Sequence, residues 1–348
     1  MTTQSDPRLA LIGCGTAAVE LHLPALKKLA WRPSFLIDPD VERVAPLAAR
    51  HQSRAVADYM DLLDRFDVAL VAAPHSLHAP ICCDLLENGK DVLVEKPIAP
   101  TLGEAKRIVA AEEKSGKSLR VGFMRRYFRA PRWVKALIDS GGLGQIESFD
   151  VREGFVFSWP ISTGALWSKA KAGGGVLIDT GAHTLDQIMW WMGPIAKIDS
   201  YKDDNHSGVE ADCIFELTLK NGAKGVVELS RTRELRSRAI IRGEKGSVDV
   251  DLVGLGVRTD PAGLVNQTFE GLRPDNLGQQ TIYECFIDQL ADWRALLAGE
   301  DRTMVTSAEA VAGVQAIEDC YAIREPWTFS WSPTAGAAAS GGSVEAAE

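Results

Sequence analysis

Leu9-Ala10-Leu11-Ile12-Gly13-Cys14-Gly15-Thr16-Ala17-Ala18 is the stretch on which the reading of the fold turns. Four apolar residues run into Gly-Cys-Gly, and helical spacing follows from Val19 to Leu29. A short apolar run bounded by glycine reads as a strand buried on both faces, and a strand of that kind belongs in a parallel sheet. The strand, the GxGxxA turn and the helix together are suited to a dinucleotide. Gly13 permits the tight turn, Gly15 lets a pyrophosphate approach the backbone, and the small Ala18 lets helix and strand pack closely. The helix N-terminus adds N–H donors and a positive dipole end. Gly13, Cys14, Gly15, Thr16 and Ala17 are therefore candidate cofactor-binding residues. The competing reading is an ordinary glycine turn.

The neighbouring sequence repeats the alternation. Strands are expected at Ser34 to Ile37, Asp67 to Ala72, Asp91 to Val94 and Leu119 to Phe123. Helices are expected at Val41 to Arg50, at His78 to Asn88, and from Thr101, where Glu104 completes a capping-box pattern. Alternating strands and helices imply a doubly wound parallel sheet, a Rossmann domain over residues 6–126. Asp38 follows the second strand, 23 residues after Gly15, near the spacing of the acid that binds the adenosine ribose. A carboxylate there repels a 2′-phosphate, so NAD is favoured. Arg43 lies close enough in sequence to keep NADP open.

The pattern changes after Tyr127. A helix is expected at Pro131 to Asp139, strand alternation at Ile146 to Phe157, and a helix at Asp179 to Met192. Cys213 to Lys220 and Ala223 to Ser230 flank Asn221-Gly222, a hairpin signal whose tight form needs positive φ at both central residues. Ser237 to Arg242 and Ser247 to Leu252 extend the meander, and helices return at Thr281 to Leu297 and Ser307 to Ile323. The second domain, residues 127–331, is expected to be α+β: a mostly antiparallel open sheet with helices on one face. Residues 332–348 are small and polar and read as a disordered tail. Apolar alternation in Cys213 to Leu219 and Val226 to Leu229, placed on the uncovered face, predicts a homo-dimer or homo-tetramer.

Composition narrows the partners. With 46% hydrophobic and 24% charged residues, the 348-residue chain reads as an ordinary globular protein. The net charge of −9 argues against nucleic acid and anionic membrane as partners. No apolar run approaches the roughly 20 residues needed to cross a bilayer. Six scattered cysteines without a CxxC pair, and no basic stretch before the first apolar run, predict a cytoplasmic protein with free thiols. The basic stretch from Arg231 to Arg242 reads as solvated sheet or loop surface.

Three further segments carry a resemblance: Ala73-Pro74-His75-Ser76-Leu77-His78; Glu95-Lys96-Pro97 within Gly89 to Ala99; and Asp179-Thr180-Gly181-Ala182-His183. With these the chain, from about Arg8 to Trp331, resembles the Gfo/Idh/MocA oxidoreductases. It departs from them at His75, where Asn is commoner, and at Ala18, where a third glycine is commoner. The resemblance implies that Lys96 is catalytic, that Glu95 and Pro97 fix its strand end with a cis proline, and that Ala73, Pro74, His75 and His78 line the cofactor crevice. It also implies that His183 is a general acid/base and that Asp179 binds substrate. The residues agree with this. A lysine at the carboxyl end of a parallel strand faces the ligand crevice, where its ammonium can stabilise a forming alkoxide. Asp179, His183 and Asp186 are spaced to share one helix face, and Asp186 can be a supporting acid or a surface one. His75 and His78 lack a third ligand at metal spacing, so no metal is expected. Arg125, Trp159 and Trp167 are candidate substrate contacts, with a core role the alternative for each tryptophan.

The implied activity is hydride transfer between NAD(P) and a secondary alcohol or ketone of a sugar, sugar derivative or inositol. Two alternatives are kept. One is glycosidase or lyase chemistry through transient sugar oxidation. The other is a catalytically silent NAD-binding sensor.

Overall fold

The computed structural model describes residues 6–158, 167–205, 208–253, 256–260, 264, 266–269, 271–274, 277–278 and 280–328. Trp159 and the expected tail at 332–348 lie outside the described residues.

The first sheet has six parallel strands: β1 (Leu9–Ile12), β2 (Pro33–Ile37), β3 (Arg54–Val56), β4 (Val68–Val71), β5 (Asp91–Glu95) and β6 (Leu119–Gly122). Their order is β3-β2-β1-β4-β5-β6. The order reverses between β1 and β4, so a crevice opens beyond the carboxyl ends of these two strands, where ligands bind in open α/β sheets. Every residue of β1 and β4 is buried, as their unbroken apolar sequences require. Helices α1 (Leu23–Lys28), α2 (Val41–Arg50), α3 (His78–Glu87) and α4 (Leu102–Ser115) connect the strands. Thr101 caps α4, and Gly116 ends it with φ +66°. Two features depart from expectation. A π-helical turn at Ala18–His22 precedes α1, and the three-residue edge strand β3 is too short and too exposed to leave a periodic signal.

Among the described residues the second sheet has eight strands. They are β7 (Ile146–Gly154), β8 (Ile195–Asp203), β9 (Asp212–Leu219), β10 (Lys224–Ser230), β11 (Arg238–Gly243), β12 (Gly246–Asp251), β13 (Val257–Asp260) and β14 (Glu325–Pro326). The order is β13-β12-β11-β7-β10-β9-β8-β14, parallel at β7/β10 and β8/β14 and antiparallel elsewhere. The Asn221-Gly222 hairpin forms, though by a looser turn than the two-residue one. Gly222 alone takes positive φ, +91°, and Leu219 N–H pairs with Ala223 O, which leaves a three-residue loop. The unanticipated β8 carries two register shifts against β9, which scramble its alternation.

Helices α5 (Arg129–Asp139), α6 (Lys169–Ala172), α7 (Val176–Met192), α8 (Ile282–Leu297) and α9 (Ser307–Ala322) complete the chain. The apolar face of the sheet is the covered one. Phe149, Val151, Cys213, Phe215, Leu217, Leu219, Val227 and Leu229 are buried in one core with α5, α7 and α9. This corrects the expectation that Cys213 to Leu219 and Val226 to Leu229 present an apolar face to solvent. The alternation was real, but its phase points toward the helices. The other face carries the ion pairs Arg152–Asp150 and Arg152–Glu228.

The last third of the chain also returns to the first domain. Phe286, Leu290 and Trp293 of α8 are buried with Leu11, Leu26 and Trp31. The Trp31 and Trp293 rings lie 5.2 Å apart. Burying a Phe or Leu side chain contributes about 1.5–3 kcal/mol, so α8 secures the helix that follows the glycine turn.

Candidate active site

At the carboxyl end of β1 the backbone turns sharply. Gly13 has φ +86°, and a Cβ on it would lie 2.6 Å from Ala72 O. Only glycine lets β1 and β4 approach this closely. The next amide, Cys14 N–H, donates to Asp38 Oδ2 at 3.0 Å. Asp38 also accepts from Asp40 N–H at 3.0 Å and from Arg43 Nη2 at 2.8 Å. Arg43 further donates to Cys14 O at 2.9 Å. The Asp38 carboxylate is thus fixed beside the turn, where the sequence reading put it. Thr16 and Ala17 begin the helical turn, and Val19 N–H bonds Gly15 O. Burial pushes the Cys14 thiol up to about 12, so it is no nucleophile at neutral pH.

Glu95-Lys96-Pro97 follows at the end of β5, and the Lys96–Pro97 bond is cis. Glu95 accepts from Lys96 N–H at 3.1 Å and from the buried His22 at 2.7 Å. Burial opposes its charge, but His22 and the Lys96 ammonium outweigh that and hold the carboxyl below its ordinary range. His78 requires a correction. It is fully buried, with Nδ1 2.8 Å from Pro97 O and Nε2 2.9 Å from Ala73 O. As the first residue of α3 it points inward and braces the end of β4 against the proline turn; it does not line the crevice. His75 Nδ1 lies 2.9 Å from Ala172 O, joining the two domains across the cleft. Burial first, then His78 and Lys96, lower its pKa to about 4.

The opposite wall comes from α7. Glu210 Oε1 accepts from Gly175 N–H and Leu177 N–H, both at 2.9 Å, and fixes the start of this helix. A Cβ on Gly175 would meet Glu210 O at 1.8 Å, so the Gly173-Gly174-Gly175 run serves close packing. One turn on, Asp179 Oδ1 accepts from Lys96 Nζ at 2.6 Å and Oδ2 from Arg231 Nη2 at 2.7 Å. Burial opposes the charge on Asp179, yet Lys96 and Arg231 prevail and hold its carboxyl far below the usual range.

His183 lies one further turn along, with Phe123 edge-on at 5.8 Å. Its Nδ1 is buried without a hydrogen-bond partner. Burial, then the charges of Arg125 and Lys96, push its pKa well below 6.5, so the ring is neutral at pH 7. Asp186 is no surface acid, because Arg126 holds it at 2.9 and 2.7 Å. Arg125 is a second correction. Its Nη1 and Nη2 are engaged by buried Glu153 at 2.7 and 2.5 Å, and Thr184 Oγ1 also donates to that carboxylate. Its charge reaches His183, but its fork is committed to the protein.

The structure therefore brings Lys96, Asp179, His183 and His75 together where the two domains meet. Trp167 is half-exposed, with its ring 5.6 Å from the Arg231 guanidinium. Four residues of the site escaped the sequence reading: His22, Glu153, Glu210 and Arg231. Arg231 carried a usable signal, because it stands in phase with the buried Val227 and Leu229 of β10. The expected solvated stretch thus begins with a buried guanidinium, 3% exposed. Among the described residues no group of three or more His, Cys, Asp or Glu could hold a metal ion, and no helix is long and apolar enough to cross a membrane.

The NAD-binding Rossmann-fold model of the GFO/IDH/MocA oxidoreductase family matches residues 7–123, and the GFO/IDH/MocA C-terminal domain matches residues 132–249. The chain belongs to this family. As a GFO/IDH/MocA oxidoreductase it binds NAD on the first domain. It is 31% identical over 190 residues to an inositol 2-dehydrogenase of Rubrobacter xylanophilus, covering 51% of this chain and 49% of that protein. It is 26% identical over 249 residues to a dTDP-3,4-didehydro-2,6-dideoxy-alpha-D-glucose 3-reductase of Saccharopolyspora spinosa, covering 70% and 74%. The WlbA dehydrogenase of Bordetella pertussis, in complex with NADH and UDP-GlcNAcA, shares the GFO/IDH/MocA fold with a TM-score of 0.77 at 21% identity, over 92% of this chain and 96% of that one.

Proposed function

We propose that the protein oxidises or reduces a secondary alcohol or ketone carbon of a sugar, a sugar derivative or an inositol, with NAD preferred to NADP. The named relatives act on or bind such molecules. The cleft suits the chemistry. Gly13 lets β1 and β4 pack closely beside the helix start that would receive a pyrophosphate, and Asp38, held by the Cys14 amide, is the carboxylate we assign to the adenosine ribose. NAD, when bound, supplies hydride exchange at its nicotinamide. Arg43 is already matched by Asp38 and Asp40, at 2.8 and 3.4 Å. A 2′-phosphate would therefore meet two carboxylates and a single guanidinium.

The observation that carries the reading is the 2.6 Å contact between Lys96 Nζ and Asp179 Oδ1 at the carboxyl end of β5. In this reading Lys96 exchanges the proton of the reacting oxygen. Asp179 orients Lys96 and receives a neighbouring hydroxyl. His183, kept neutral by burial, hydrogen-bonds the same oxygen without storing charge. Lys96 and His183 could each serve the hydroxyl proton, and this reading takes Lys96, because a ring whose protonation buries an unpaired N–H is a poor proton acceptor.

A panel of sugars and polyols with NAD and NADP, followed by the absorbance of the reduced nicotinamide, tests the activity. Reduction of NAD by a panel member, lost in Lys96→Ala, is expected. Turnover of a glycoside without net absorbance change would instead establish the lyase or glycosidase reading. We also propose a homo-dimer or homo-tetramer, supported by half-buried Ile214, Val226 and Ile240 on the uncovered sheet face. A monomeric mass in light scattering would contradict it.

A further inference from the structure

Arg231 has the character of a partner built for Asp179. It extends β10 by one residue on the inward phase. Its guanidinium lies 5.5 Å from the Phe157 ring centre and 5.6 Å from that of Trp167. Its Nε and Nη1 are buried without hydrogen-bond partners, and among the described residues its ion pair is with Asp179 alone. The Asp179 carboxylate is therefore shared, one oxygen on Arg231 and the other on Lys96. The two cations differ in kind. Arginine stays charged at every pH a protein survives, whereas lysine can lose its proton. With Lys96 protonated the trio carries one net positive charge. With Lys96 neutral, Arg231 and Asp179 balance.

We infer that Arg231 is a positioning residue that sets the proton affinity of Lys96, holding Asp179 as its own counter-ion so that Lys96 releases its proton more readily than it would with Asp179 as a private partner. This rests on the reading of Lys96 as the proton-exchanging group. The other groups facing Lys96 are accounted for. His183 comes from α7, His75 and His78 from the end of β4 and the start of α3, and burial disfavours the charge on all three. Glu95 beside it is engaged by His22, and Arg125 behind His183 is engaged by Glu153. Glu95 remains a second anion near Lys96, common to every variant compared, and Asp179 is the carboxylate in direct contact, shared with Arg231.

The test is competitive acetylation of the whole protein with acetic anhydride across roughly pH 6 to 11, with the Lys96 peptide read by mass spectrometry. No substrate is needed, so the result is independent of whether Lys96→Ala abolishes turnover. In Arg231→Met the labelling midpoint of Lys96 is expected to rise by about one pH unit or more, the size of a lost neighbouring charge. Arg231→Lys should bring it back toward the unmodified value. Asp179→Asn, which leaves Arg231 facing Lys96 with no anion between them, should move the midpoint the other way. An unchanged midpoint in an Arg231→Met protein that still binds NAD normally would overturn the inference. If that variant does not fold, a midpoint that fails to drop in Asp179→Asn overturns it equally.

Discussion

The two walls of the cleft are built by different means. The cofactor wall is mostly backbone: a glycine that tolerates φ +86°, an amide on Asp38, and strand ends brought within contact by β1 and β4. The wall we assign to catalysis is side chains gathered from far apart in sequence: Lys96 just after β5, Asp179 and His183 on α7, and Arg231 after β10. A backbone site fails when the chain path changes, and a side-chain site fails when one group is removed. Mutations should therefore separate the two.

The largest separation is expected from Lys96→Ala. Turnover should fall by about 100- to 10,000-fold, as for the loss of a positioned acid/base group, while calorimetry finds NAD affinity nearly unchanged. A loss of NAD affinity as large as the loss of turnover would merge the two walls into one. Gly13→Ala should do the converse. Its Cβ would meet Ala72 O at 2.6 Å, and overpacking of this kind costs about 1–3 kcal/mol. NAD affinity should fall by an order of magnitude or more, with the Lys96 labelling midpoint unmoved. Wild-type affinity in Gly13→Ala would mean that the turn does not hold the cofactor.

How far each wall was legible follows from the same contrast. The turn, Asp38 and the two strands that flank them depend on requirements written within about forty residues: positive φ, close approach, and apolar runs. Lys96, Asp179 and His183 stood in segments distinctive enough to be singled out. Arg231 did not, because its role depends on the phase of β10 beneath α7, and a basic cluster read in one dimension looks solvated. His78 went astray for a related reason. Its place was right, but which way the first residue of α3 points is set by the Ala73 and Pro97 carbonyls. The uncovered face of the second sheet was misread because alternation shows that one face is apolar without showing which face the helices take.

Acid should destabilise the folded protein through the histidines buried at the site. His75 and His183 are held neutral in the folded protein, with pKa about 4 for His75 and well below 6.5 for His183. The unfolded chain protonates these imidazoles near their ordinary value of about 6.5. Below that value the unfolded state binds more protons, so stability falls as pH drops from about 6.5 toward 4. Thermal melts across that window should show the decline, and His75→Asn should make it shallower. An unchanged slope in that variant would contradict the placement of His75. The smallest effect is expected from Asp38→Ser. It should narrow the preference for NAD over NADP by about tenfold, the equivalent of roughly 1.4 kcal/mol, without altering turnover at saturating NAD. Tighter binding of NADP than NAD by the unmodified protein would remove Asp38 from this role.

The pH dependence of turnover in the unmodified protein, His183→Ala and Lys96→Ala tests the central claim most directly. If Lys96 exchanges the proton and His183 stays neutral, the rise of the oxidation rate with pH survives in His183→Ala, at a reduced rate, and disappears in Lys96→Ala. If the rise disappears in His183→Ala and survives in Lys96→Ala, the histidine is the proton acceptor, and the assignment of the Lys96, Asp179 and Arg231 trio is wrong.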